Sequence, residues 1–412
     1  MPPIRLVHFA DLHVGMENYG RLDPATGTSS RTRDFLDRLD EVVDYALDHK
    51  ADLVIFAGDA FKTRDPEPTQ QREFARRLQK HADKIPTLLL VGNHDLPGTV
   101  SKATSLDIYH VLDIRNVIVG YKPDSQVVQT AHGPVYLAWM PYPARNRLLL
   151  DDEYKGKSLP ELEQILRDKV AQYIRELSEQ AAKQDAPRIF AGHFTVSGAA
   201  FGSERTVMLG SDVAVMKSAV AETAWDYVAL GHIHKHQNLT AGETGLPPVV
   251  YAGSLERIDF GEENEPKGFC FAKISRGKTE WEFVPDRARP FHTIRVDVKT
   301  EDQPTPAVLD AIALRKAEIR DAVVRIIISM TGEQSALLDE RAVQKAAESA
   351  SHVDVQLEVR QDVRARLGTD STESLTPLEL LERYFRAKAV EENRIAELLQ
   401  AAEEIVKEDD GQ

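Results

Sequence analysis

The chain has 412 residues, 42% hydrophobic and 28% charged, the composition of a globular protein with room for two or three domains. Its net charge of −15, from 66 acidic and 51 basic residues, argues against an autonomous nucleic-acid binder with a basic surface, unless acids gather around bound cations or a partner subunit supplies phosphate contacts. No apolar run approaches the ~20 residues of a membrane span, the N-terminus has no secretory pattern, and the single Cys270 excludes an internal disulfide, so a cytoplasmic protein is expected.

Residues 1 to about 285 alternate strand-like and helix-like segments. Five strand-like runs each lead into a short polar string. Ile4 to Ala10 precedes Asp11-Leu12-His13, and Leu53 to Ala57 precedes Gly58-Asp59. Thr87 to Val91 precedes Gly92-Asn93-His94-Asp95, Ile189 to Ala191 precedes Gly192-His193, and Tyr227 to Leu230 precedes Gly231-His232-Ile233-His234. Between them, Arg33 to Lys50 spaces Phe35, Leu36, Leu39, Val42, Val43, Ala46 and Leu47 as an amphipathic helix does. Ser158 and Glu161 predict a capping box opening a helix to about Lys183. Val249 to Ala252 reads as a strand, and Phe269 to Ile274 with Trp281 to Val284 as a closing antiparallel pair.

Pro285 to Pro290 is the expected boundary of this first domain, residues 1–285. A small α/β unit follows over 291–360. Its expected elements are the strand Thr293 to Val298, the helix Pro306 to Asp321, the strand Val323 to Ser329, the helix Asp339 to Ala350 and the strand Val353 to Val359. Arg360 to Ser374 is polar and reads as a linker. The tail, 375–408, holds two amphipathic helices. Thr376, Pro377 and Glu379 suit the start of the first, with Leu375 and Leu380 placed for a hydrophobic staple. The second carries Ile395, Leu398, Leu399, Ala402, Ile405 and Val406 on one stripe. These stripes pack on each other, on the parent domain, or on a partner helix.

Alone, Asp-x-His, Gly-Asp or Gly-His carries little information; five such strings in order, each after a strand, point to one metal site where strands end. Asp11, His13, Asp59, Asn93, His193, His232 and His234 form a mixed oxygen and nitrogen set, suited to Mn²⁺, Fe²⁺ or Zn²⁺ and too rich in nitrogen for Mg²⁺ or Ca²⁺. The set is too large for one tetrahedral ion. Two ions about 3.5–4 Å apart, sharing Asp59, would use it, an arrangement suited to phosphoester hydrolysis. His94 is left over as a general acid, with Asp95 expected to fix its tautomer. His8, His49, His81, His110, His132, His292 and His352 are expected to be structural or solvated, and His236 stays open.

These strings resemble those of the calcineurin-like metallophosphoesterases. The strings Asp11-Leu12-His13 and Gly58-Asp59-Ala60-Phe61, the tail Pro377 to Phe385 and the domain order resemble the SbcD-type branch of DNA double-strand-break repair nucleases. The resemblance implies a two-sheet sandwich flanked by helices, a small capping domain and a helical tail. It implies two ions, usually Mn²⁺, one on Asp11, His13, Asp59 and His234 and the other on Asp59, Asn93, His193 and His232. It further implies DNA as substrate, an SbcC-type coiled-coil ATPase on the tail, and a homodimer to which Ser105 to Leu112 contributes. Some members carry a second catalytic histidine three residues after the bridging aspartate; Lys62 stands there in this chain. A metallophosphatase or cyclic-nucleotide phosphodiesterase explains the motifs and the acidity, and leaves the tail without a purpose. A non-catalytic scaffold conflicts with the intact ligand set.

Overall fold

The computed structural model describes residues 2–25, 27–99, 101–149, 154, 156–202, 213–360, 377–387 and 392–409. The linker expected after Arg360, the Leu375 staple and the Thr376 cap fall outside the described residues.

Strands between residues 4 and 285 form two six-stranded sheets. One orders its strands as Lys278–Pro285, Gly268–Ser275, Ile4–Phe9, Leu53–Phe56, Thr87–Leu90 and Val117–Gly120. The other runs Gln237–Asn238, Val249–Tyr251, Tyr227–Gly231, Arg188–His193, Gly133–Met140 and Asp124–Thr130. Ile4–Phe9, Leu53–Phe56 and Thr87–Leu90 are parallel, as are Arg188–His193 and Tyr227–Gly231. Their carboxyl ends therefore emerge together within each sheet. The near-continuous apolar composition of these strands follows from burial on both faces.

Alternation sorts the side chains into three cores. Leu6, Ala10, Leu53, Ile55, Leu88 and Leu90 face Ile189, Ala191, Tyr227 and Ala229 between the sheets. Val7, Phe9, Val54, Phe56 and Leu89 pack outward on the helices Ser30–Asp48 and Pro68–Ala82. Phe190, Val228 and Leu230 pack on the helix Leu159–Ala182. The layering is helix, sheet, sheet, helix, as the fold class implied. Ser158 caps the last helix in the expected box with Glu161.

His8 sits between the sheets, its Nε2 3.2 Å from the Leu230 carbonyl and its Nδ1 3.2 Å from the Tyr227 hydroxyl. Burial lowers its pKa to about 3, so it is a neutral core residue. His236 stacks on Phe283 at 4.1 Å, with its Nδ1 on the Tyr251 carbonyl.

Further on, Phe291–Asp297, Val323–Thr331 and His352–Arg360 form a three-stranded sheet in that order. The helix expected over 306–321 covers only Pro304–Leu314. Beyond Leu314 the bonds shorten to single turns, such as Glu318 N to Arg315 O, and Asp321 at φ 59° turns the chain into the next strand. The helix expected over 339–350 is Glu340–Ala346, with Asp339 accepting from Ala342 N as its cap. The tail helices are Pro377–Ala387 and Glu392–Asp409. By compactness the chain divides into two units, one of Met1–Ile294, Ile312–Ile326 and Gln344–Asp354, the other of Arg295–Ala311, Ile327–Val343 and Val355–Gln412. No helix among the described residues is long and apolar enough to cross a membrane.

Candidate metal centre

Every expected ligand sits at or just past the carboxyl end of a strand. Asp11 and His13 follow Ile4–Phe9, Asp59 follows Leu53–Phe56, and Asn93 follows Thr87–Leu90. His193 closes Arg188–His193, and His232 and His234 follow Tyr227–Gly231. The first two loops are tied by backbone bonds: Asp11 N to Gly58 O at 3.0 Å, and Leu12 N and His13 N to Asp59 O at 2.9 and 3.1 Å. Of the non-glycine residues in the left-handed region, four belong to the ligand set: Asp11 (φ 51°), His13 (47°), Asp59 (62°) and His232 (95°). Such a conformation costs about 1–3 kcal/mol each and persists where surrounding structure over-determines it.

The glycines before the ligands supply space. A Cβ on Gly58 would lie 2.3 Å from His193 Nδ1, and one on Gly92 would lie 2.1 Å from Asp59 Oδ1.

The side chains converge as two clusters. In one, Asp11, His13 and His234 bring ligand atoms within 4.8 Å of one another, with 3.1 Å between the two Nε2 atoms. In the other, Asn93 Oδ1 lies 3.0 Å from both His193 Nε2 and His232 Nδ1. Asp59 faces both: its Oδ2 is 3.4 Å from His193 Nε2 and 3.9 Å from His13 Nε2. Atoms bound about 2.1 Å from one cation at near right angles stand about 3 Å apart, so this spacing fits a divalent cation in each cluster. His193 donates from Nδ1 to the Ala57 carbonyl at 2.6 Å, leaving Nε2 for the cluster. His13 Nδ1 is buried without a hydrogen-bond partner.

Charge is concentrated here. Burial, and the charge of Asp59, push Asp11 up, against the pull of His193 and His234. Burial also opposes ionisation of Asp59, yet His193, His94 and His13 around it hold the carboxyl well below the usual range. Burial would lower His193, but the charges of Asp59 and Asp11 and the hydrogen bond to Asp59 raise it to about 9. His193 and Asp59 thus favour a charged pair between the two clusters.

His94 stands at the edge of both clusters. Its ring meets His13 edge-on at 4.8 Å, its backbone N–H donates to Asp59 Oδ1 at 2.8 Å, and it lies within ligand reach of His13 and Asp59. The expected role of Asp95 is corrected by the structure. The Asp95 carboxylate accepts from the backbone of Asp59, Ala60 and Gly92 and from Ser105 Oγ, so its oxygens are committed to closing the loops. The Lys62 carbonyl instead accepts from His94 Nδ1 at 2.8 Å. Burial and the nearby Asp59 charge raise Asp95 to about 6.

Sequence reasoning missed three neighbours. Glu262, fully buried, accepts from His234 Nδ1 at 2.9 Å and pairs with Lys267 at 2.9 Å. Burial disfavours its charge, but Lys267 and His234 hold it well below the ordinary glutamate range. Half-buried Tyr142 sets its ring 5.6 Å from His232. Glu262 lies 28 residues past His234, and no spacing rule links them.

The profile of the calcineurin-like phosphoesterase family matches residues 4–236, more than half of the chain. Among curated proteins, the chain is 29% identical over 293 residues to SbcD of the SbcCD nuclease from Bacillus subtilis, covering 68% of this chain and 69% of that one. It is 28% identical to the protein of the same name from Escherichia coli K12, covering 67% and 66%. It is 24% identical to the DNA double-strand break repair protein Mre11 of Methanosarcina mazei, covering 81% of this chain and 46% of the archaeal one.

Proposed function

The chain belongs to the calcineurin-like phosphoesterase family, and we propose that it is an SbcD-type nuclease that hydrolyses DNA phosphodiester bonds in double-strand-break repair. The observation that carries the reading is the convergence of seven oxygen and nitrogen donors from two sheets, with Asp59 facing both clusters. The relatives named as DNA-repair nucleases favour DNA over a small phosphoester.

In this reading Asp11, His13, Asp59 and His234 hold one divalent ion, and Asp59, Asn93, His193 and His232 hold the other, with Mn²⁺ the preferred metal. Bound there, the ions supply Lewis acidity to the phosphoester. The chain supplies the rest. His94, its Nδ1 proton committed to the Lys62 carbonyl, delivers a proton from Nε2 to the leaving oxygen. Asp95 holds the loops that carry Asp59 and Asn93. Residues 291–360 act as a capping domain that shapes DNA access. The tail helices dock an SbcC-type coiled-coil ATPase, which offsets the net charge of −15 when DNA binds. A homodimer through Ser105 to Leu112 fits the exposure of Ile108, Val111 and Leu112. In this reading the protein works in the cytoplasm.

The test is one assay series with Mn²⁺ or Mg²⁺, with and without the ATPase, on linear, hairpin and single-stranded DNA and on a phosphomonoester. Mn²⁺-stimulated DNA cleavage is expected. Poor DNA cleavage alongside rapid phosphomonoester hydrolysis would move the chain to the phosphatase reading. Deletion after Ser374 is expected to abolish the complex with the ATPase while leaving the fold intact; an unfolded product would instead make the tail part of the core.

A further inference from the structure

His234 differs from His13, its neighbour in the first cluster, in what stands behind the ring. His13 Nδ1 is buried with no partner, whereas His234 Nδ1 donates to Glu262 Oε1 at 2.9 Å. The second oxygen of Glu262 accepts from Ile258 N at 3.0 Å and from Lys267 Nζ at 2.9 Å. Lys267 Nζ in turn donates to Ser254 Oγ at 2.8 Å and to the His234 carbonyl oxygen at 3.2 Å. One ammonium therefore grips His234 twice, directly at its backbone and through Glu262 at its ring. Both side chains are fully buried, so the arrangement is rigid and water does not compete for it.

A buried ion pair is seldom worth its desolvation as a stability device alone, since well-packed apolar residues often do as well. What this pair does that an apolar pair would not is keep a hydrogen-bond acceptor behind Nδ1. That fixes the proton on Nδ1 and leaves the Nε2 lone pair facing the Asp11 and His13 donors. Carboxylates behind metal-binding imidazoles set the tautomer, the ring orientation and the basicity of the ligand nitrogen.

We propose that Glu262, braced by Lys267, is the positioning residue for His234, fixing its tautomer and ring plane so that Nε2 is presented to a divalent cation. The inference rests on His234 being a metal ligand, and the experiment tests the two separately.

Mn²⁺ alone is titrated into the full chain and into His234→Ala, Glu262→Ala and Glu262→Asp, with circular dichroism checking each fold. The aspartate variant keeps a buried carboxylate for Lys267 but retreats from His234 by about one C–C bond, roughly 1.5 Å. The expected result is two ions on the parent chain, one lost in His234→Ala, and that same ion weakened about 10–100-fold in both Glu262 variants. In ¹⁵N-histidine spectra of the ion-free proteins, His234 should show a single Nδ1–H tautomer that both variants lose. Parent-like affinity and an unchanged tautomer in the Glu262 variants, with His234→Ala still losing its ion, would overturn the positioning role alone. Two tightly bound ions in His234→Ala would instead remove the ligand assignment, and the inference with it. If Glu262→Ala does not fold, the aspartate variant decides by the same readings.

Discussion

His94 and Asp95 are adjacent in the chain and do different work. The backbone N–H of His94 braces Asp59, and its ring is held by a main-chain carbonyl, so replacement of the ring need not disturb the metal cluster. His94→Gln should retain both ions, measured by metal analysis, while turnover falls about 10²–10⁴-fold. Unchanged turnover would mean that another group protonates the leaving oxygen. A second residue gives a pH prediction away from the site. Asp286 is raised from 3.8 to about 7, chiefly by burial; Oδ1 accepts from Ala288 N, and Oδ2 has no partner. An acid whose folded pKa is raised binds protons more tightly when folded, so its stabilising contribution is complete below 3.8 and is lost as pH rises through about 7. Asp286→Asn keeps the acceptor and drops the charge. Its melting temperature relative to the parent should therefore rise between about pH 5 and pH 8, and a pH-independent difference would refute the assignment.

At the scale of elements, the strand ends were readable because buried parallel strands leave apolar runs that stop abruptly at a glycine or a ligand. Ile4–Phe9, Leu53–Phe56, Thr87–Leu90 and Tyr227–Gly231 end within a residue of the runs seen in the sequence. The helix Leu159–Ala182 was readable from its cap. The strand Asp124–Thr130 was not, because it is an edge strand whose burial is patchy. The helix Pro68–Ala82 escaped for a related reason: only Phe74, Leu78, His81 and Ala82 are buried in it. Of the site, the Asp, Asn and His side chains that converge were legible in the strings, while Glu262, Lys267 and the Lys62 carbonyl were not. A backbone acceptor and a residue placed by a distant loop leave no local pattern. The glycines that end the strands carry their own prediction. In Gly92→Ala the new Cβ would meet Asp59 Oδ1 at 2.1 Å and Asp59 N at 2.5 Å, so the loop must move. Overpacking of this kind costs typically about 1–3 kcal/mol. Mn²⁺ affinity should fall together with thermal stability, and a variant with parent-like affinity would show that the loop has slack.

At the scale of the molecule, the ligand set is divided. Asp11, His13, Asp59 and Asn93 follow strands of one sheet, and His193, His232 and His234 belong to the other. Ions held by both groups would join the sheets at their carboxyl ends. A ligand that binds only the folded chain stabilises it by about 2.7 kcal/mol at a hundredfold excess over its dissociation constant. Chelation should therefore lower the melting temperature by several degrees, reversibly on return of Mn²⁺. Calorimetric scans that coincide with and without chelator would mean that the sheets hold the site open unaided.

The left-handed backbone at the ligands sets a limit on how this protein can be improved. His13 combines φ 47° with a buried ring nitrogen, Nδ1, that has no hydrogen-bond partner, two local costs at one residue. Asparagine also accepts that conformation, its short amide bonding locally, and it removes the buried imidazole nitrogen. His13→Asn should accordingly melt at a higher temperature than the ion-free parent. A library screened for heat resistance in the presence of chelator would then enrich replacements at His13, selecting against a residue of the proposed site; metal must be present in any such selection.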